Sequence, residues 1–126
     1  MGETPIRVMV VDDSSTTRET IRRALASIPN MEVVADCKDG ELAVQLFQTA
    51  KPDLVTMDLT MPRLDGFGAI KAMIGKNPKV KIVVCSALAD EATALDAIDF
   101  GAVAFIPKPF SVEEMTAIIL EVISGK

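Results

Sequence analysis

A chain of 126 residues, 49% of them hydrophobic and spread evenly, is long enough for one full core and too apolar for a disordered class. Its net charge of −5, from 13 basic and 18 acidic residues without a basic cluster, argues against nucleic acid or an anionic membrane as partner. Histidine is absent and Cys37 and Cys85 are the only cysteines, which excludes zinc sites and histidine-based triads. No apolar run approaches the ~18 residues of a membrane span. The start MGETPIR lacks the apolar core of a signal peptide, and Pro5 speaks against myristoylation, so a soluble cytoplasmic protein is expected.

In chain order, the first apolar run is IRVMVV, from Ile6, rich in the branched residues that strands favour. Ser14 is placed to cap a helix whose face carries Thr17, Ile21, Ala24, Leu25 and Ile28, and Pro29 stops it. MEVVADC follows from Met31, and Asp39 caps a second helix with the stripe Leu42, Ala43, Leu46, Phe47 and Ala50 before Pro52. DLVTM from Asp53 is the third strand. Phe67, Ile70, Met73 and Ile74 mark the third helix, ahead of Pro78. VKIVVC from Val80 precedes a fourth, weaker helix from about Asp90, with Ala94, Leu95 and Ile98 as its stripe and Gly101 as a left-handed cap. AVAFIP from Ala102 is the fifth strand. Ser111 and Glu114 then form a capping box ahead of Val112, Met115, Ile119, Val122 and Ile123.

Strand starts lie 22 to 27 residues apart, with room for a helix between each pair. Five such alternations predict an α/β fold: a doubly wound five-stranded parallel sheet covered by helices on both faces. A single domain over residues 1–126 is expected, since no linker or repeat interrupts the pattern. Of the common open-sheet orders, a five-strand chain of this length fits 2-1-3-4-5. The strands bearing Cys37 and Cys85 then stand three places apart, roughly 14 Å from the strand spacing. A disulfide needs Cα atoms within ~7 Å, so free thiols are expected.

Ligands in such sheets bind beyond the carboxyl ends of the strands, where strand order reverses. The first strand ends in Asp12 and Asp13, the third in Asp58, the fourth in Ser86 and the fifth in Lys108. Taken one at a time, the acidic pair reads as helix capping, Asp58 as the start of a turn and Lys108 as a solvated loop lysine. Their coincidence at one sheet edge points elsewhere. Three neighbouring carboxylates cannot all stay ionised without compensation: one pKa rises or a cation binds, and Mg2+ binds through carboxylates while leaving room for a phosphate oxygen. With Lys108 and the Ser86 hydroxyl, that makes a clamp for a phosphoryl group passing to Asp58.

The segments VMVVDDS, PDLVTMDLTMPRLDG, VVCSA and GAVAFIPKPF, in this order, resemble the receiver domain of two-component response regulators, closest to the CheY-like stand-alone chemotaxis type. The resemblance covers essentially the whole chain. The flavodoxin-like order 2-1-3-4-5 with five helices belongs to that family, so it carries no weight independent of the resemblance. The resemblance implies that Asp58 is the phosphorylated aspartate. It implies that Asp13 binds Mg2+ directly, Asp12 largely through water, and that the Thr60 carbonyl is a third protein ligand. Lys108 would pair with the phosphoryl group, and its bond to Pro109 would be cis. Ser86 would be the switch hydroxyl, beside an Ala87 that leaves room for phosphate, and Phe105 the switch aromatic. Ser86 stands where threonine is frequent and Phe105 where tyrosine is frequent, so this aromatic acts by packing alone.

The implied function is a signalling switch rather than an enzyme with an external substrate. A CheA-like histidine kinase would supply the phosphoryl group to a cytoplasmic monomer. The partner, in chemotaxis the flagellar motor switch, would bind the face of the fourth helix, fifth strand and fifth helix. Three alternatives stand beside it, one of them a degenerate receiver serving only as an interaction module, which the presence of every expected catalytic residue disfavours. The chain also resembles the receiver part of chemotaxis methylesterases or DNA-binding regulators. A haloacid-dehalogenase-type phosphohydrolase would share the Asp, Ser, Lys and acidic pair, but it wants an aspartate where this chain has Thr60, and its acidic pair comes late in the chain.

Overall fold

The computed structural model describes residues 4–59, 66–88 and 90–124. Strand and helix alternate as β1 (Ile6–Val11), α1 (Ser15–Ala26), β2 (Met31–Cys37), α2 (Gly40–Ala50), β3 (Leu54–Asp58), α3 (Gly66–Lys76), β4 (Lys81–Ser86), α4 (Glu91–Asp99), β5 (Ala104–Pro107) and α5 (Val112–Ile123). All paired strands run parallel, in the order β2-β1-β3-β4-β5. The expected sheet and helices are all present, each strand starting within two residues of its predicted position.

Side chains on a strand alternate faces, and that period of two divides the core. Val8, Val10, Leu54, Val83, Cys85 and Ile106 face α1 and α5, meeting Ile21, Leu25, Met115 and Ile119. Met9, Val11, Val55, Met57, Ile82 and Val84 face the other way, onto Ala43, Phe47, Ala69, Ile70, Met73 and Ala97. Every residue of β3 is buried, the polar Thr56 and Asp58 included, as a central strand covered on both faces requires. Pro107 sits at the end of edge strand β5, where its missing N–H costs no ladder bond on the open side.

The predicted caps form. Ser14, Asp39 and Asp90 each accept from a backbone N–H three residues on, and Ser111 and Glu114 close a reciprocal capping box. The stripe expected on α4 does not point inward. Leu95 is 58% and Ile98 47% exposed, and Ala97 is the helix's buried residue. Periodicity shows which residues share a face but not which face is turned in, and here the small Ala97 lets the helix sit close to the sheet. Leu46 of α2 is likewise exposed rather than buried. Gly101 has φ +118°, and a Cβ there would collide with the Ile74 side chain, so a residue without one closes the α4–β5 turn. Cys37 and Cys85 are both buried free thiols, as expected.

Candidate functional site

β1 and β3 are neighbours, so the chain continuing past Val11 lies beside the end of β3, at the place where strand order reverses. Asp12 and Asp58 are buried there while Asp13 is exposed. Carboxylate oxygens of the three lie within 4.8 Å of one another. Asp12 is fixed on three sides. Its N–H donates to the Cys37 carbonyl at 3.0 Å, its Oδ1 accepts from Ser14 N–H at 2.9 Å, and its own carbonyl accepts from Arg18 Nη1 at 2.6 Å. Ser14, through its hydroxyl, accepts from Thr17 N–H at 3.2 Å and starts α1. Capping thus falls to Ser14, which leaves Asp12 Oδ2 and Asp13 to face the strand edge.

Lys108 follows β5, and its N–H donates to the Ser86 carbonyl at 2.9 Å, tying the ends of β5 and β4 together. Its Nζ lies 2.8 Å from Asp12 Oδ2 and 3.3 Å from Asp58 Oδ2. The peptide bond to Pro109 is cis, as the resemblance implied. The 2.8 Å contact is an ion pair, and beside it Asp12 Oδ2 accepts no further hydrogen bond among the described residues. That buried oxygen, with two further carboxylates in reach and Lys108 paired with two of the three, belongs to the donor set of a hard divalent cation. The residues therefore fit Mg2+.

Burial pushes the Asp12 pKa up, against the pull of the Lys108 ammonium and the Ser14 N–H, and the charge of Asp58 adds to the rise. Burial works against the Lys108 ammonium, but Asp12 and Asp58 outweigh it and its pKa is raised.

Ser86 is fully buried at the end of β4, and its Oγ accepts from Leu88 N–H at 3.0 Å. Phe105 lies beside Val84 in the β4–β5 register and packs, partly buried, on the α2–α3–α4 side of the sheet. Ala87 is exposed. Thr60 lies outside the described residues. Asp12, Asp13, Asp58 and Lys108 thus converge, Ser86 terminates the adjoining strand, and Phe105 stands one strand further out.

Two residues of this edge were missed from sequence. Gly66 opens α3, and a Cβ there would come within 2.5 Å of Leu59 Cα and 2.7 Å of the Asp58 carbonyl oxygen. Its place in the quoted MPRLDG was the available signal. Arg18, four residues into α1, had none, because its contacts are to the backbone of Asp12 and to β2.

A family model described as response regulator receiver domain matches residues 8–120. The chain belongs to that family. It is 36% identical over 110 residues to the chemotaxis protein CheY of Listeria monocytogenes, spanning 87% of this chain and 92% of that one. It is also 41% identical over 117 residues to a protein-glutamate methylesterase/protein-glutamine glutaminase of Rhodospirillum centenum. That match covers 91% of this chain but only 30% of the longer relative. Among solved structures, the CheX–CheY–BeF3–Mg2+ complex from Borrelia burgdorferi matches with TM-score 0.89 and 28% identity, over 95% of this chain and 90% of that one. No helix among the described residues is long and apolar enough to cross a membrane.

Proposed function

We propose that Asp58 accepts a phosphoryl group from the phosphohistidine of a CheA-like histidine kinase, and that the added charge switches affinity for a protein partner in chemotaxis. One observation carries this reading: three carboxylates converge at the sheet's switch point, with Lys108 bridging two of them. In the transfer, an Asp58 carboxylate oxygen attacks phosphorus while the P–N bond of the donor breaks and its electron pair passes to the imidazole. Asp12, Asp13, Asp58 and the Thr60 carbonyl would hold Mg2+, which when bound neutralises charge on the transferring oxygens. Lys108 moves from bridging carboxylates to bonding a phosphoryl oxygen, and its raised pKa keeps it cationic for that role.

Ser86 Oγ then leaves the Leu88 amide for a phosphoryl oxygen, and Phe105 packs into the space released. The responding face is that of α4, β5 and α5, where Leu95, Ile98, Val103 and Leu120 are exposed. Its partner is a protein such as the flagellar motor switch, bound by a monomeric, cytoplasmic, single receiver domain that turns over no external substrate. A pull-down with protein locked by beryllofluoride, against unactivated protein, tests the partner. Incubation with acetyl phosphate and Mg2+, read by intact mass, tests the chemistry. Wild-type chain should gain a phosphoryl group and Asp58→Asn should not; a wild-type rate of labelling in the variant would overturn the assignment.

The likeness to methylesterase receiver segments favours a second reading, in which the same phosphorylation releases an attached output domain. An output domain encoded after Lys126 would decide for it.

A further inference from the structure

We propose that Arg18 is a positioning residue for the metal half-site made by Asp12 and Asp13. This rests on the phosphoacceptor reading above. The Arg18 guanidinium donates from Nη1 to the Asp12 carbonyl at 2.6 Å, and its Nε lies 2.9 Å from Asp36 Oδ1 on β2. The bonded carbonyl belongs to the peptide joining Asp12 to Asp13. Fixing that peptide plane sets the direction in which both carboxylates leave the chain. The opposite end of Asp12 is already held through its N–H on Cys37. Arg18 therefore closes a frame running from Asp36 of β2, through α1, to the acidic pair that follows β1.

Two observations separate this from an incidental surface pair. The contact is partly shielded, with Arg18 20% and Asp36 34% exposed, and Asp36 is further held by Arg22, itself paired with Glu19. Arg18 also sits at the wrong end of its helix. α1 has no acidic residue in its first turn, and a cation near a helix N-terminus opposes the macrodipole. A local preference overridden in this way points to a role in the tertiary structure. Residues that orient metal ligands from behind typically govern affinity tenfold or more.

Charge and positioning predict opposite signs. As a bare positive charge near a cation site, Arg18 would repel Mg2+, and its removal would tighten binding. As a positioning group, its removal loosens the ligands, and lysine, which keeps the charge but not the fork, does not restore them. Calorimetric titration with Mg2+ alone, on wild type, Arg18→Lys, Arg18→Ala and Asp36→Asn, reads the difference. Melting of each protein with and without saturating Mg2+ accompanies it. Arg18→Lys and Arg18→Ala should each lose about tenfold in Mg2+ affinity, and the Mg2+-linked rise in melting temperature should shrink. A merely structural pair would lower both melting temperatures and leave their difference intact. Unchanged or tighter Mg2+ binding by a folded Arg18 variant overturns the proposal. Should Arg18→Ala fail to fold, Arg18→Lys and Asp36→Asn carry the same test. Wild-type chain that neither binds Mg2+ nor labels with acetyl phosphate overturns the phosphoacceptor reading itself, a result distinct from an Arg18 variant matching a functional wild type.

Discussion

At the scale of single residues, the candidate site is a problem in unbalanced charge. Three carboxylates cluster, Lys108 pairs with two of them, and the third, Asp13, is the one exposed to water. Removing Asp13 in chelator-treated protein should relieve repulsion and raise stability, by under about 1 kcal/mol because solvent screens an exposed group. With Mg2+ present the same Asp13→Ala change should lower stability, since a ligand is then missing. Urea unfolding of both proteins in each buffer checks the reversal of sign. That these groups meet at one sheet edge was legible from sequence because carboxylates, a hydroxyl and an ammonium at strand ends are chemically distinctive. Gly66 matters through a missing Cβ, marked in the sequence by its place in MPRLDG, whereas Arg18 makes contacts to backbone and to β2 that leave no signal beyond its own identity.

At the scale of elements, caps and strands were legible because their causes are local. Ser14, Asp39, Asp90 and Ser111 satisfy helix amides within three residues of themselves. The orientation of α4 was not, because it depends on how closely a helix can approach a four-residue edge strand. Ala97 seats the helix where the leucine and isoleucine of the expected stripe would hold it off. α4 and α5 should therefore answer truncation very differently. Met115→Ala, which empties a fully buried position, should cost about 2–5 kcal/mol. Leu95→Ala should cost within about 0.5 kcal/mol of nothing, while weakening any partner that binds the α4 face. Denaturant midpoints at unchanged slope measure the first contrast, and the beryllofluoride pull-down the second.

At the scale of the whole molecule, the alternation of apolar runs with helical stripes was enough to place five strands and five helices. Strand order came with the family resemblance rather than from the pattern alone. The sheet then explains why the two thiols never meet, and it gives them a common behaviour. Burial first, and then the charges of Asp36 and Asp39, push the Cys37 thiol up from 9.0 to about 11, and burial drives Cys85 upward as well. The folded chain thus holds these protons at pH values where the unfolded chain has released them. The stabilisation is complete below pH 9.0 and is lost as pH rises through the folded value. Stability should fall between pH 9 and 10.5, before Lys108 begins to lose charge above its ordinary 10.5. Denaturant titrations across that window should show the decline, and a Cys37→Ala/Cys85→Ala chain should show it flattened.

The bond from Leu88 N–H to Ser86 Oγ bears on what this chain does when no signal arrives. Ser86 is fully buried, so a hydroxyl that turns away with no phosphoryl oxygen to meet it gives up its partner at a cost of about 1–3 kcal/mol. In the proposed switch, the resting arrangement is then favoured over the released one by a factor of roughly five to somewhat over a hundred. A standing minority of unphosphorylated molecules would hold Ser86 already turned, setting a floor of background output that the kinase raises rather than creates.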